Sequence, residues 1–222
     1  MKIFSMIAYL FFALAQGAEG GYARLVNAQN PLDPSYVPPE LVCVRHAREG
    51  REELCLMQKT AADALDAMLD AAEGAGFKGI SVTNGYRSYN YQKFLYYEYY
   101  PRKEIAADPA LSYGEALAKV GSYCRAPGES EHQTGLCCDL HDRAIGSQED
   151  FAFLPASRWL EENAHRYGFI LRYPKGKESV TGTVYEPWHY RYVGEGAAAF
   201  IYERSLTLEE FHSFFKDIDR TQ

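Results

Sequence analysis

Apolar residues recur at helical spacing along residues 58–75. The stripe consists of Ala61, Leu65, Met68, Leu69 and Ala72. Residues three, four and seven positions apart lie on one face of an α-helix. Glycines at positions 74 and 76 are typical of a helix end. The pattern therefore predicts an amphipathic helix with one face packed on a core.

Short apolar runs bounded by turn residues predict the strands. They cover residues 41–44, 54–57, 79–82, 169–173 and 184–192. The first two runs flank a polar segment that contains Gly50, which predicts a hairpin.

Further helices are predicted at residues 89–100, 114–122, 155–167, 195–204 and 208–218. Pro101 is expected to end the first of these because proline has no backbone N–H. Thr207 followed by Glu210 indicates a capping box at the start of the last. Helices and short strands are mixed without a strict βαβ alternation. This favours a single α+β domain in which helices flank a small antiparallel sheet.

The N-terminus differs from the rest of the chain. Residues 1–20 combine Lys2, a short apolar run and the small-x-small pattern at residues 13–15, which predicts a signal peptide and a secreted protein of the cell envelope. The apolar run is shorter than the roughly 20 residues of a spanning helix, so no stable membrane span is expected after cleavage, although an uncleaved anchor is the alternative. Residues 21–40 contain four prolines and predict an extended lead-in. The catalytic domain is then expected at residues 41–222.

The charge pattern limits the possible binding partners. The formal net charge is −7 and no basic run is present, so nucleic acid is not expected as a partner. We also expect a monomer.

Export would permit disulfides among the five cysteines, and Cys43 and Cys55 on the predicted hairpin could form one. Cys124 could pair with Cys137 or Cys138, or all five cysteines could be reduced.

Two segments carry candidate metal chemistry. His132 is followed seven residues later by Asp139, and Glu186 precedes His189 by three residues. Two histidines and one aspartate form a three-ligand zinc set that leaves a fourth position open for water, as in catalytic sites. Glu186 is then available as the general base. His141, two residues after Asp139, is a reserve ligand, whereas the other three histidines have no comparable setting.

These segments resemble the VanY-type zinc D-alanyl-D-alanine carboxypeptidases, in the superfamily that also contains lysostaphin-like peptidases and the hedgehog domain. The resemblance extends from about residue 56 to residue 208. Its motifs are Gly85-Tyr86-Arg87-Ser88 with Gln92, residues 127–135 (PGESEHQTG), Trp159-Leu160, Tyr167-Gly168-Phe169, Arg172-Tyr173-Pro174, and residues 186–194 (EPWHYRYVG).

The resemblance implies a zinc peptidase fold with His132, Asp139 and His189 as the zinc ligands. Glu186 would be the catalytic base, and Arg87 would bind the substrate carboxylate or the developing oxyanion. Ser88, Gln92 and Ser130 are further candidates for hydrogen bonds to the peptide.

The function implied is hydrolysis of the terminal D-Ala of peptidoglycan stem peptides by Glu-assisted attack of a zinc-bound water. An L,D-carboxypeptidase acting on tetrapeptide stems is a close alternative, and a D,D-dipeptidase fits less well. A zinc-containing binding module without catalysis is the alternative from a different class. Cys137 and Cys138 depart from the family, which places small or aliphatic residues there. Strand alternation is expected to turn Cys138 away from the metal, because Asp139 must face it.

Overall fold

A four-stranded antiparallel sheet forms the frame of the protein in the computed structural model. The structure describes residues 21–219, with side chains up to residue 215; the predicted signal peptide at residues 1–20 and residues 220–222 lie outside the described residues. The strand order is β3-β4-β6-β5. These strands are β3 (Ile80–Asn84), β4 (Cys137–Asp142), β5 (Phe169–Leu171) and β6 (His189–Tyr192). The predicted α+β class with a small antiparallel sheet is confirmed.

A separate hairpin and eight α-helices complete the described part of the chain. The hairpin pairs β1 (Leu41–Cys43) with β2 (Leu56–Gln58). The helices are α1 (Lys59–Gly74), α2 (Tyr89–Phe94), α3 (Tyr100–Ala107), α4 (Tyr113–Val120), α5 (Pro155–Asn163), α6 (Glu178–Thr181), α7 (Glu195–Arg204) and α8 (Leu208–Asp219). Short 3₁₀ turns cover Glu52–Leu54, Glu131–Thr134, Glu149–Phe153 and Ala164–Tyr167.

The two faces of the sheet have different environments because side chains alternate along each strand. One face packs on α1 and α5 in the main core, with Leu140 of β4 and Tyr190 of β6 fully buried there. Residues one position away, such as Asp139 and His189, point to the opposite face. A second apolar cluster lies beneath α7 and α8 around Phe200.

The helix that was predicted to end before Pro101 instead continues to Ala107. Leu95–Tyr99 form a π-helical turn between α2 and α3, and the N–H of Tyr100 bonds the carbonyl of Leu95. The wider hydrogen-bond spacing of a π turn accommodates a following residue without an N–H. Pro101 therefore lies in the first turn of α3, where its missing donor disrupts little.

The strand predicted at residues 184–192 is confined to His189–Tyr192. Pro187 cannot contribute an N–H to a ladder. The N–H of His189 instead bonds the carbonyl of Glu186 at 3.1 Å, which closes a tight turn before the strand.

The possible Cys43–Cys55 disulfide is not formed, and all five cysteines are free thiols, which is the reduced alternative. The hairpin register places Cys43 opposite Leu56, so Cys55 lies one residue out of register and points to the other side. Cys43 is exposed whereas Cys55 is buried in the core.

Residues 21–40 lie against the domain without helical structure. The Arg191 guanidinium donates to the carbonyls of Tyr22 and Arg24, both at 2.9 Å. The Leu32 N–H bonds the carbonyl of Gly128 at 2.8 Å. The boundary between this lead-in and the catalytic domain at residue 40 stays a prediction.

Among residues 21–219, none of the helices has the length and apolar character needed to span a bilayer.

Candidate metal centre and active site

His132 is presented by the 3₁₀ turn Glu131–Thr134, which ends at Gly135 in the left-handed conformation. Its Nδ1 lies 2.6 Å from the carbonyl of Gly85. Because a carbonyl only accepts, Nδ1 carries the proton and Nε2 keeps a free lone pair. Burial, together with the positive charge of Arg87, lowers the pKa of His132 to about 4. The neutral imidazole is the form that binds metals.

Asp139 and His189 meet across adjacent strands because β4 and β6 pair them directly opposite each other. His189 Nδ1 lies 2.9 Å from Asp139 Oδ1, and His132 Nε2 lies 3.4 Å from Asp139 Oδ2. Ligands of a tetrahedral zinc with bonds of about 2.0–2.1 Å lie about 3.3 Å apart. All three side chains are buried. The donor set and its spacing therefore fit zinc.

Glu186 faces the same centre from the turn before β6. Its Oε2 lies 3.8 Å from His189 Nδ1, and no hydrogen bond to another described residue engages its carboxylate. Burial, reinforced by the negative charge of Asp139, raises the pKa of Glu186 well above its usual value. A carboxylate with raised basicity beside a metal is suited to accept a proton.

Arg87 lies on the other side of Asp139. Its Nη2 is 3.3 Å from Asp139 Oδ2, and its Nη1 donates to Gln92 Oε1 at 3.0 Å. The Gln92 amide in turn donates to the carbonyl of Arg125 at 2.6 Å. Both ends of the Gln92 amide are therefore hydrogen-bonded within the protein, and in this structure Gln92 holds Arg87 in place.

The remaining predicted site residues separate into two groups. Ser130 lines the cleft described below. Ser88 caps α2 by accepting from the N–H of Tyr91, and neither Ser88 nor His141 is among the residues that line the cleft. The structure thus brings Arg87, Ser130 and the four metal-centre residues together, and leaves Ser88 and His141 outside.

The cleft has a volume of about 720 Å³ and opens over the metal centre. Aromatic side chains form much of its wall: Tyr100, Tyr123, Tyr173, Tyr185 and Trp188. Arg125 also lines the cleft and donates to the carbonyl of Gly182 and the hydroxyl of Thr183. A pocket of this size, with few converging polar groups, is typical of small-molecule and peptide sites.

Comparison with known proteins places the chain in a family. The model of the VanY D-alanyl-D-alanine carboxypeptidase family matches residues 55–195, more than half of the chain. The chain belongs to the VanY family. This confirms the family, the enzyme class of metallopeptidase and zinc as the cofactor, which the sequence predicted.

Relatives and solved structures agree with this assignment. A D-alanyl-D-alanine carboxypeptidase of Enterococcus faecalis is 37% identical over 202 residues, 90% of this chain and 69% of that protein. The structure of VanYB in complex with D-alanine-D-alanine is similar with a TM-score of 0.72 at 34% identity, over 86% of this chain and 97% of the other. The LdcB LD-carboxypeptidase is similar with a TM-score of 0.72 at 39% identity, over 85% of this chain and 84% of the other.

Two cysteines of this VanY family member lie close to the metal centre. Cys138 points into the main core, away from Asp139. Cys137 points to the metal side, and one ligand atom from each of His132, Cys137 and His189 lies within 4.8 Å of the others. Burial raises the pKa of Cys137 well above its usual value, which favours the protonated thiol, a weak ligand. Cys124 lines the cleft as a free thiol, so neither of the two possible pairings of Cys124 forms.

Sequence reasoning did not single out Glu131, which is buried behind His189. Its Oε1 lies 2.8 Å from Arg172 Nε and 2.9 Å from Arg191 Nη1. Burial alone would raise the pKa of Glu131, but the two arginines lower it to about 2, so the side chain is ionised. Two signals in the sequence could have identified Glu131: it directly precedes a histidine predicted to bind metal, and two arginines occur in otherwise apolar segments.

Proposed function

We propose that this protein is a secreted carboxypeptidase that removes the terminal D-alanine from peptidoglycan stem peptides ending in D-Ala-D-Ala. It would act as a monomer outside the cytoplasm. The observation that carries the proposal is a three-ligand centre with a free glutamate and a guanidinium, all facing one cleft. Support also comes from the similarity to VanYB, whose structure holds D-alanine-D-alanine.

Each residue has a distinct role in this proposal. Zinc held by His132, Asp139 and His189 would polarise the scissile carbonyl and lower the pKa of a water molecule. Glu186 accepts a proton from the attacking water and then delivers it to the departing amine, which leaves as free D-alanine. No covalent intermediate with the protein is needed, because water itself attacks.

Arg87 supplies the positive charge that a C-terminal substrate requires. A guanidinium can hold a carboxylate through two parallel hydrogen bonds, or stabilise an oxyanion. Its Nε is buried and makes no hydrogen bond in the described part of the chain. Gln92 fixes the Nη1 edge, which restricts the guanidinium to one orientation in the cleft.

L,D-carboxypeptidase activity on tetrapeptide stems is the second candidate. The similarity to the LdcB LD-carboxypeptidase, at 39% identity, supports this second candidate. The two activities differ in the stereochemistry of the residue before the cleaved bond, which the same metal centre could serve. A catalytically silent zinc-binding module is disfavoured because Glu186 lies within the cleft.

Defined stem peptides test the proposal. Purified protein is incubated with tri-, tetra- and pentapeptide stems, with chelator, without chelator and after zinc is restored, and the products are identified by mass. We expect zinc-dependent loss of one alanine from the pentapeptide. Loss of alanine from the tetrapeptide alone would establish the L,D activity instead. Intact peptides in every zinc-containing sample would contradict the enzymatic function.

A further inference from the structure

His189 differs from His132 in how its second ring nitrogen is satisfied. His132 Nδ1 bonds the carbonyl of Gly85, but His189 Nε2 is buried and has no hydrogen-bond partner among the described residues. A buried imidazole N–H without an acceptor is costly. Metal-binding histidines almost always donate this N–H to a carboxylate, a carbonyl or water.

The group that faces this nitrogen is the carboxylate of Glu131. Its Oε2 lies 4.0 Å from His189 Nε2 and also lacks a hydrogen-bond partner in the described part of the chain. When Nδ1 binds zinc, the ring proton is on Nε2, so these two unsatisfied atoms are then one donor and one acceptor, and both side chains are buried. A shift of less than about 1 Å, or one bridging water, would join them.

The other oxygen of that carboxylate is held in a buried ionic frame, which consists of Glu131, Glu209, Arg172 and Arg191. Glu131 Oε1 is contacted by Arg172 and Arg191, at 2.8 and 2.9 Å. Both arginines are among the largest fully buried side chains. Arg172 is in turn held by Glu209 of α8, at 2.9 and 2.5 Å, and Arg191 is held by the carbonyls of the lead-in.

The frame is balanced in charge, because two glutamates face two arginines. Glu131 therefore remains an anion with one oxygen fixed and the other directed at the imidazole. An anionic acceptor at Nε2 stabilises the tautomer that carries its proton on Nε2, which leaves the lone pair on Nδ1. Nδ1 is the nitrogen that lies beside Asp139.

We propose that Glu131 is the positioning residue of the metal centre: it accepts the Nε2 proton of His189, fixes the ring and its tautomer, and so directs Nδ1 to zinc. Glu131 touches neither substrate nor metal, and it acts through His189 alone. The buried arginines make this position independent of solvent and connect it to α8 and to residues 22–24.

The test compares Glu131→Gln with Glu209→Gln in the full chain. Both substitutions remove one carboxylate from Arg172, but only Glu131 faces His189, so Glu209→Gln is a matched control for damage to the ionic frame. Zinc affinity is measured by competition with a chromophoric chelator. We expect Glu131→Gln to weaken zinc binding about 10- to 100-fold and Glu209→Gln to change it less than about threefold. Equal losses in the two variants, or no loss in Glu131→Gln, would overturn the proposal.

A second measurement uses the unaltered protein, in case Glu131→Gln does not fold. Nitrogen-15 NMR of the zinc-loaded protein reports which ring nitrogen of His189 carries the proton. We expect the proton on Nε2, slow to exchange and shifted downfield by a charged acceptor. A proton on Nδ1, or one on Nε2 that exchanges freely with solvent, would contradict the proposal. Both readouts are independent of the stem peptide that is cleaved.

Discussion

Replacing Glu186 by glutamine tests the general-base role with little disturbance of the fold. The Glu186 side chain is 8% exposed, and its nearest ionic neighbour is His189 Nδ1 at 3.8 Å. Its carboxylate accepts no hydrogen bond from a described residue, so an amide of the same shape breaks none. An unpaired buried carboxylate costs more than a neutral amide. The free energy of unfolding should therefore be unchanged or slightly higher.

The effect on catalysis should be large. A positioned general base contributes roughly 10²- to 10⁴-fold to the rate, which corresponds to about 3–5 kcal/mol in the activation free energy. Because Glu186 is not among the three proposed ligands, zinc affinity should stay within about threefold of the original. The fall of activity at acid pH, where Glu186 takes up a proton, should also disappear, since glutamine does not titrate.

The assay measures kcat/KM on a pentapeptide stem, zinc content and thermal unfolding for the same preparations. Glu149 also lines the cleft but is exposed, so Glu149→Gln is the matched control and should keep near-normal activity. Activity of Glu186→Gln within tenfold of the original would refute the reasoning. Loss of zinc together with activity would equally refute it, because Glu186 would then be a ligand.

Four further predictions concern residues around the site. Arg87→Lys should lower kcat/KM by roughly 10²- to 10³-fold and reduce the preference for a free over an amidated peptide C-terminus, measured on the two peptides. Cys137→Ala and Cys138→Val should retain zinc and activity, measured by metal analysis and turnover. Gly85→Ala should destabilise the fold by about 1–3 kcal/mol in denaturant unfolding, because a Cβ would lie 2.3 Å from the carbonyl of Leu56. Thiol reagents should modify Cys43 rapidly, Cys124 in the cleft more slowly, and Cys55, Cys137 and Cys138 only after denaturation.

Different outcomes contradict these predictions. Unchanged discrimination between free and amidated peptides in Arg87→Lys would exclude binding of the terminal carboxylate by Arg87. Zinc loss in Cys137→Ala would identify its thiol as a ligand. Normal stability of Gly85→Ala would show that the hairpin carbonyl can move away. Fewer than five reactive thiols after denaturation without reductant would indicate a disulfide.

Several features were predictable because they depend on local pattern. The helix over Lys59–Gly74 and the capping box of α8 follow from spacing and side-chain chemistry alone. The extension of the helix beyond Pro101 was not predictable, because it depends on a π turn that only the assembled helices select. The strand at residues 184–188 was predicted wrongly, since apolar content outweighed the proline that prevents pairing.

The residues alone were enough to predict the chemistry of the site: two imidazoles and a carboxylate as candidate zinc ligands, a glutamate as candidate base and a guanidinium, together with the family that their motifs resemble. The tertiary structure decided which atoms meet. The antiparallel register of β4 and β6 sets Asp139 opposite His189, and the register of the β1–β2 hairpin separates Cys43 from Cys55. Glu131 precedes His132 in the chain, yet it lies behind the other histidine. Register and burial are long-range properties, so spacing along the chain could not reveal them.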